Sequence, residues 1–135
     1  MVEPETAVRE LFKEFEGYQW DEAQVERIVS RMTDDAQYRV FAWQEPFVGR
    51  AAIAGELLRQ APLMSELSFD LLSVASVGRT VFVERIDYVV MNQRHAGFHV
   101  VGVFEINEDD KIARWRDYVD SKEIVDKVYT GRGER

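Results

Sequence analysis

The sequence predicts an α+β domain whose helices precede its sheet, and three observations lead there. Apolar residues recur at helical spacing through roughly the first sixty positions. From Leu67 to Val119 they alternate with polar ones every second residue, and turn-forming residues interrupt the alternation at intervals. A length of 135 residues with 46% hydrophobic content suits one domain with a sizeable core.

A first helix carries Val8, Leu11, Phe12 and Phe15 at i, i+3, i+4 and i+7, with Pro4 suited to its first turn and Gly17 to its exit. Asp21 is placed to cap a second helix, whose buried stripe is Val25, Ile28, Val29 and Met32. Thr33-Asp34-Asp35 breaks that pattern. Residues 37 to 43 read as a first strand, ended by Glu45-Pro46. A third helix runs from Arg50 to Gln60, with Ile53, Leu57 and Leu58 inward and Pro62 following.

Strands then follow one another. The first spans Leu67 to Ser76, and Gly78-Arg79 fits a two-residue hairpin loop. Strand 80 to 91 leads to a polar turn at Asn92-Gln93-Arg94-His95. Strand 97 to 106 sets Phe98, Val100, Gly102, Phe104 and Ile106 on one face. Asn107 to Asp110 is the next turn, and strand 111 to 119 the last. Ser121 caps a terminal helix through Ile124, Val125 and Val128. Residues 1 to 4 and 130 to 135 are expected to fray. Without repeats, linkers or low-complexity runs, residues 1 to 135 form a single domain.

A net charge of −8 argues against nucleic acid and anionic membranes as partners, since both attract clustered Lys and Arg. The absence of cysteine excludes disulfides, thiol nucleophiles and cysteine–zinc sites. No basic-then-apolar leader and no run of membrane-span length is visible, so a cytoplasmic protein is expected. Strand 80 to 91 is apolar on both faces: Phe82, Ile86, Tyr88 and Val90, broken only by Glu84, lie opposite Val81, Val83 and Val89. Helices cover one face and a second copy is the simplest cover for the other, so a homodimer through the sheet is expected.

The same alternation sets Arg85 and Asp87 beside Val81, Val83, Val89 and Met91, and Asp117 beside Ala113, Trp115 and Val119. An Arg-x-Asp pair alone reads as a surface ion pair of small worth. Apolar companions and a third charge favour chemistry, because charges on apolar faces are costly unless they pair. Of two neighbouring carboxylates one holds its proton and serves as acid, while the other serves as base; an arginine between them can hold both. Such a set suits water addition to a strained ring, or proton movement beside a carbonyl. It offers no metal cage, no nucleophile–base pair and no need of a cofactor. Elsewhere, His95 reads as a solvated turn residue, His99 as a surface or interface residue, and Asp109-Asp110 as a solvated turn. Arg114 and Arg116, opposite Asp117, are expected to pair with an acid on a neighbouring strand.

Glu-Arg-Ile-Asp at 84 to 87, followed by Trp-Arg-Asp-Tyr-Val-Asp at 115 to 120, resembles the limonene-1,2-epoxide hydrolase family. Gly-Val-Phe-Glu at 102 to 105 and Gly49-Arg50 at the third helix are similar too, and the resemblance spans residues 5 to 128. It implies a nuclear-transport-factor-2-like fold: a cone-shaped, curved, mixed sheet, largely antiparallel, with N-terminal helices closing an apolar pocket. It also implies Asp117 as the base that activates a water, Asp87 as the acid that protonates the epoxide oxygen, and Arg85 as their bridge, without a covalent intermediate. Tyr38 takes the place of a tyrosine that holds the water. The asparagine two residues further on falls at Val40, which has no hydrogen-bonding side chain; Trp43 and Gln44 are the nearby substitutes.

The implied pocket is lined by Leu57, Met64, Val89, Phe98, Val100, Phe104, Trp115 and Val119. The expected activity is one-step hydrolysis of a small apolar epoxide, terpene-like or steroid-like. An isomerase or epoxide-opening cyclase on the same cone is the alternative, since neither needs a positioned water. A non-catalytic small-molecule binding module is a third reading.

Overall fold

A computed structural model describes residues 3–129. The tail 130 to 135 and residues 1 and 2, expected to fray, lie outside that range. Helix α1 (Pro4–Phe15) begins on a buried proline, so Pro4, expected to fray, is part of the helix. Its stripe of Val8, Leu11, Phe12 and Phe15 is buried along its whole length. Helix α2 (Glu22–Val29) is capped by Asp21, whose carboxylate accepts from the Gln24 backbone N–H at 2.7 Å. Helix α3 (Arg50–Gln60) starts from Gly49, whose φ of 92° lies where side chains are disfavoured. A short 3₁₀ turn, Ala61–Leu63, leads into the long strands.

The sheet has six strands: β1 (Met32–Arg39), β2 (Phe47–Val48), β3 (Met64–Val77), β4 (Thr80–Met91), β5 (Arg94–Ile106) and β6 (Ile112–Val119), in the order β2-β1-β6-β5-β4-β3. Four of the five pairings are antiparallel, and β1 runs parallel to β6. Register shifts at Ser65/Ser68 and Leu71/Ser73 bend β3 over β4 and give the open sheet its curvature. Helix α4 (Ser121–Val128) lies on β5, held by Lys127 Nζ donating to the Gly97 carbonyl at 2.6 Å and by an exposed His99–Glu123 pair at 2.7 Å.

Several boundaries differ from those the sequence predicts. Met32 does not finish α2; it opens β1, and Thr33-Asp34-Asp35 belongs to that strand rather than breaking the chain. Pairing with β6 at Met32↔Ile112 and Tyr38↔Trp115 overrides the weak strand propensity of the aspartates. The strand therefore ends at Arg39, not at residue 43. Strand β3 begins at Met64, three residues before expectation. The turn after β4 contains only Asn92 and Gln93, both at positive φ, so Arg94 and His95 pair within β5. Leu58 is 38% exposed, because Ile53, Leu57 and Ala61 set the buried face and turn Glu56 inward in its place. Asp120, not Ser121, caps α4 by accepting from Lys122 N–H at 2.9 Å, and Val125 remains exposed.

The core sits between the concave sheet face and α1–α3 and is rich in aromatic rings. Phe12, Phe15, Phe104 and Trp115 meet at centroid distances of 5.3 to 6.3 Å, mostly edge to face. On the convex face, Phe82, Tyr88, Val101 and Tyr118 stay exposed. Glu105 holds Arg116 at 2.6 Å and Arg114 at 3.7 Å there.

Candidate active site

A cavity of about 480 Å³ opens at the concave face, between the sheet, the end of α3 and α4. At its base Arg85 is 2% exposed and lies between two carboxylates. Its Nε and Nη2 donate to Asp87 Oδ1 and Oδ2 at 2.7 and 3.2 Å. Its Nη1 and Nη2 donate to Asp117 Oδ1 and Oδ2 at 3.2 and 2.9 Å. All three nitrogens are used, and each aspartate is gripped by two bonds. Phe12 of α1 covers the guanidinium, with its ring centre 4.7 Å from Cζ. A surface ion pair has no such enclosure.

Register brings these residues together. Arg85 and Asp87 project from β4, and Asp117 from β6, with β5 between them. Gly102 of β5 pairs with Val83 on one side and Asp117 on the other. A Cβ at Gly102 would stand 2.6 Å from Arg85 Nη1 and 3.0 Å from Asp117 Oδ1. The guanidinium crosses β5 through the space that this missing side chain leaves. A glycine in the middle of the apolar run Val-Val-Gly-Val-Phe at 100 to 104 is the one sequence signal that could have marked it.

The electrostatics single out Asp87. Burial pushes the Asp87 carboxyl up, and the Asp117 charge adds to the rise, while Arg85 opposes it. Burial works against the Arg85 charge, but Asp117 and Asp87 outweigh it and hold the guanidinium protonated. Asp117 Oδ1 takes a second donor, Trp115 Nε1 at 2.7 Å, so Oδ2 is the oxygen with more free acceptor capacity. Tyr38 of β1 stands beside Trp115, ring centres 4.6 Å apart, and also lines the cavity. Burial first, and then the Asp117 charge, raises its hydroxyl, so it stays a neutral phenol.

Of the remaining residues named from sequence, Met64, Val89, Phe98, Val100, Trp115 and Val119 line the cavity. Leu57 and Phe104 do not: both are fully buried behind the wall, packed in the core. Val40 lines the cavity, whereas Trp43 is 65% exposed and Gln44 is also on the surface, so neither reaches the site. Sequence reasoning missed Gln60 and Arg59, which line the cavity from the end of α3, and Tyr129 and Ser121, which line it from α4. Among the described residues no group of three or more His, Asp or Glu is placed to hold a metal. No helix of the described residues is long and apolar enough to cross a membrane.

Residues 2–130 match the family model described as the limonene-1,2-epoxide hydrolase catalytic domain. A search of curated proteins gave no match. Among solved structures, an epoxide hydrolase of this type from M. tuberculosis is 21% identical, with a TM-score of 0.74 over 93% of this chain and 89% of that one. A polyketide cyclase described as putative, from Xanthomonas campestris pv. campestris, is 15% identical, with a TM-score of 0.78 over 93% and 96%. The epoxide hydrolase/cyclase-like enzyme SalBIII, described in pyran ring formation in the polyether salinomycin, is 20% identical, with a TM-score of 0.73 over 89% and 92%. At these identities the three structures share the fold with this chain.

Proposed function

This chain belongs to the limonene-1,2-epoxide hydrolase family, and we propose that it hydrolyses an apolar epoxide in one step by general acid/base catalysis. The observation that carries this reading is the buried Arg85 fork, which clamps Asp87 and Asp117 at the base of an apolar cavity. Asp117 takes a proton from a water through Oδ2, and the water oxygen attacks an epoxide carbon. The carbon–oxygen bond of the ring breaks, and its electron pair takes the proton that Asp87 holds. Asp117 ends protonated and Asp87 ionised, and proton exchange with solvent restores both. Arg85 keeps its own proton and steadies the negative charge as it moves from one side to the other. Tyr38, a neutral phenol on the same cavity as Asp117, orients the water.

A cavity of this size takes a substrate of terpenoid to steroid dimensions, held by Val89, Phe98, Val100 and Val119. Single turnover in oxygen-18 water tests the assignment, using a panel of cyclic terpene and steroid epoxides. The label belongs in the diol. Label in an aspartate of the protein, or no diol from any epoxide of the panel, overturns it.

One observation favours a second reaction on the same site. Val40 lines the cavity where the family resemblance implies an asparagine, and cyclisation or isomerisation requires no held water. Rearranged or cyclised product in place of diol is the signature of that reading. We place the protein in the cytoplasm as a homodimer through the convex face, supported by its acidic composition and by exposed Phe82, Tyr88, Val101 and Tyr118. A monomer mass in sedimentation at micromolar concentration overturns the dimer.

A further inference from the structure

Three charged residues are buried among the described ones: Arg85, Asp117 and Glu56. The mechanism uses the first two and leaves Glu56 unexplained. Glu56 lies on α3, where Arg59 Nε and Nη2 donate to its two oxygens at 2.7 and 2.8 Å. Gln60 Nε2 donates to its Oε2 at 2.8 Å. An ionised carboxylate only accepts, so this contact fixes which end of the Gln60 amide is nitrogen. The Gln60 amide also lies near enough to the Tyr38 hydroxyl to act on it, partly offsetting the rise that burial causes. With nitrogen committed to Glu56, Oε1 is the acceptor Gln60 brings to a cavity that it shares with Tyr38 and Asp117.

A nucleophilic water needs four directions controlled. One O–H goes to the base, and one lone pair goes to carbon. The other O–H needs an acceptor, and the other lone pair a donor. Asp117 Oδ2 is the base, and Tyr38, kept a neutral phenol by burial, can donate its O–H. Val40 offers only methyl groups to the cavity.

We propose that Gln60 is a further catalytic residue, whose Oε1 accepts the second hydrogen of the nucleophilic water, and that Glu56 is its positioning residue. The carboxamide thus comes from the end of a helix rather than from the strand that carries Tyr38. This inference rests on the hydrolase reading.

The test is Gln60→Met, which keeps the length of the side chain, removes both the acceptor and the donors, and leaves Glu56 paired with Arg59. Diol formation should fall about 100-fold in kcat with KM little changed, since water and not substrate loses its contact. The fraction of rearranged product per epoxide consumed should rise. Adding Val40→Asn to Gln60→Met should recover at least about tenfold of the loss, because a carboxamide then reaches the same water from β1. If Gln60→Met is not recovered folded, Gln60→Ala with and without Val40→Asn makes the same comparison. Unchanged kcat in the single variant, or a loss that Val40→Asn leaves wholly unrestored, overturns the role of Gln60 and leaves the hydrolase reading intact. No diol from the unmodified protein with any epoxide of the panel overturns both.

Discussion

Two clusters of arginine and carboxylate face the same cavity, and they behave in opposite ways. On the sheet wall, Arg85 is shared by Asp87 and Asp117 and shielded by Phe12. On the helix wall, Arg59 serves Glu56 alone and keeps most of its side chain in water. Burial raises the Asp87 carboxyl, whereas Arg59, first among its neighbours, holds Glu56 below the ordinary carboxylate range. The same residue types therefore give a carboxyl that keeps its proton more readily in one place and one that gives it up more readily in the other. What differs is the ratio of carboxylates to guanidinium and the dryness of the pair. The sheet cluster is suited to moving protons, and the helix cluster to holding an amide still.

Breaking the sheet cluster should have the largest effect. Asp117→Asn and Asp87→Asn each remove a proton-transfer group without changing side-chain size, and kcat for diol formation should fall about 10³- to 10⁴-fold, measured under single turnover. Near-normal turnover in either variant would remove these residues from the mechanism. Arg85→Ala should abolish activity and lower unfolding free energy by about 3–5 kcal/mol in urea denaturation, since it leaves two buried carboxylates without their partner.

A smaller loss should follow from disturbing the cluster without touching a charge. Gly102→Ala places a methyl group 2.6 Å from Arg85 Nη1, which two aspartates prevent from moving aside. Turnover should drop about 100-fold while circular dichroism stays that of the native fold. Full activity would mean that the guanidinium can shift freely.

The contrast between the clusters also has a pH signature. In the proposed mechanism Asp87 acts in its protonated form, and its raised pKa extends that state above the ordinary 3.8. Hydrolysis should therefore decline on the alkaline side as pH rises through the folded pKa of Asp87. Stability runs in the same sense. Above the unfolded pKa the folded state binds the additional proton, so this group's contribution falls as pH rises, until the folded pKa is passed. Asp87→Asn should remove that segment from a plot of denaturation midpoint against pH, and its persistence would assign the segment to another group. The smallest effect belongs to the helix cluster. Arg59→Ala should lower stability by less than about 1 kcal/mol, as its guanidinium is mostly solvated.

Much of the fold was legible because it is local. The apolar stripe of α1 and the alternation in β4, β5 and β6 hold in the structure. Alternation alone set Arg85, Asp87 and Asp117 on inward faces. Edges were less legible. β1 contains two aspartates and gains its strand character from β6, a partner 75 or more residues away by the pairs Met32↔Ile112 and Tyr38↔Trp115. Leu57 and Phe104 share the inward direction of the lining residues, but whether a residue lines a cavity or the core behind it depends on what packs over it.

By itself, then, the sequence determined the order of helices and strands and the faces on which the three charges stand, because periods of 3.6 and 2 are properties of neighbouring residues. Only the tertiary structure decided which charges meet. The passage of Arg85 over Gly102, the turn of Glu56 inward and the placing of Gln60 on the same cavity as Tyr38 all depend on registers between distant segments. Such registers follow from the packing of the whole sheet, and no local spacing encodes them.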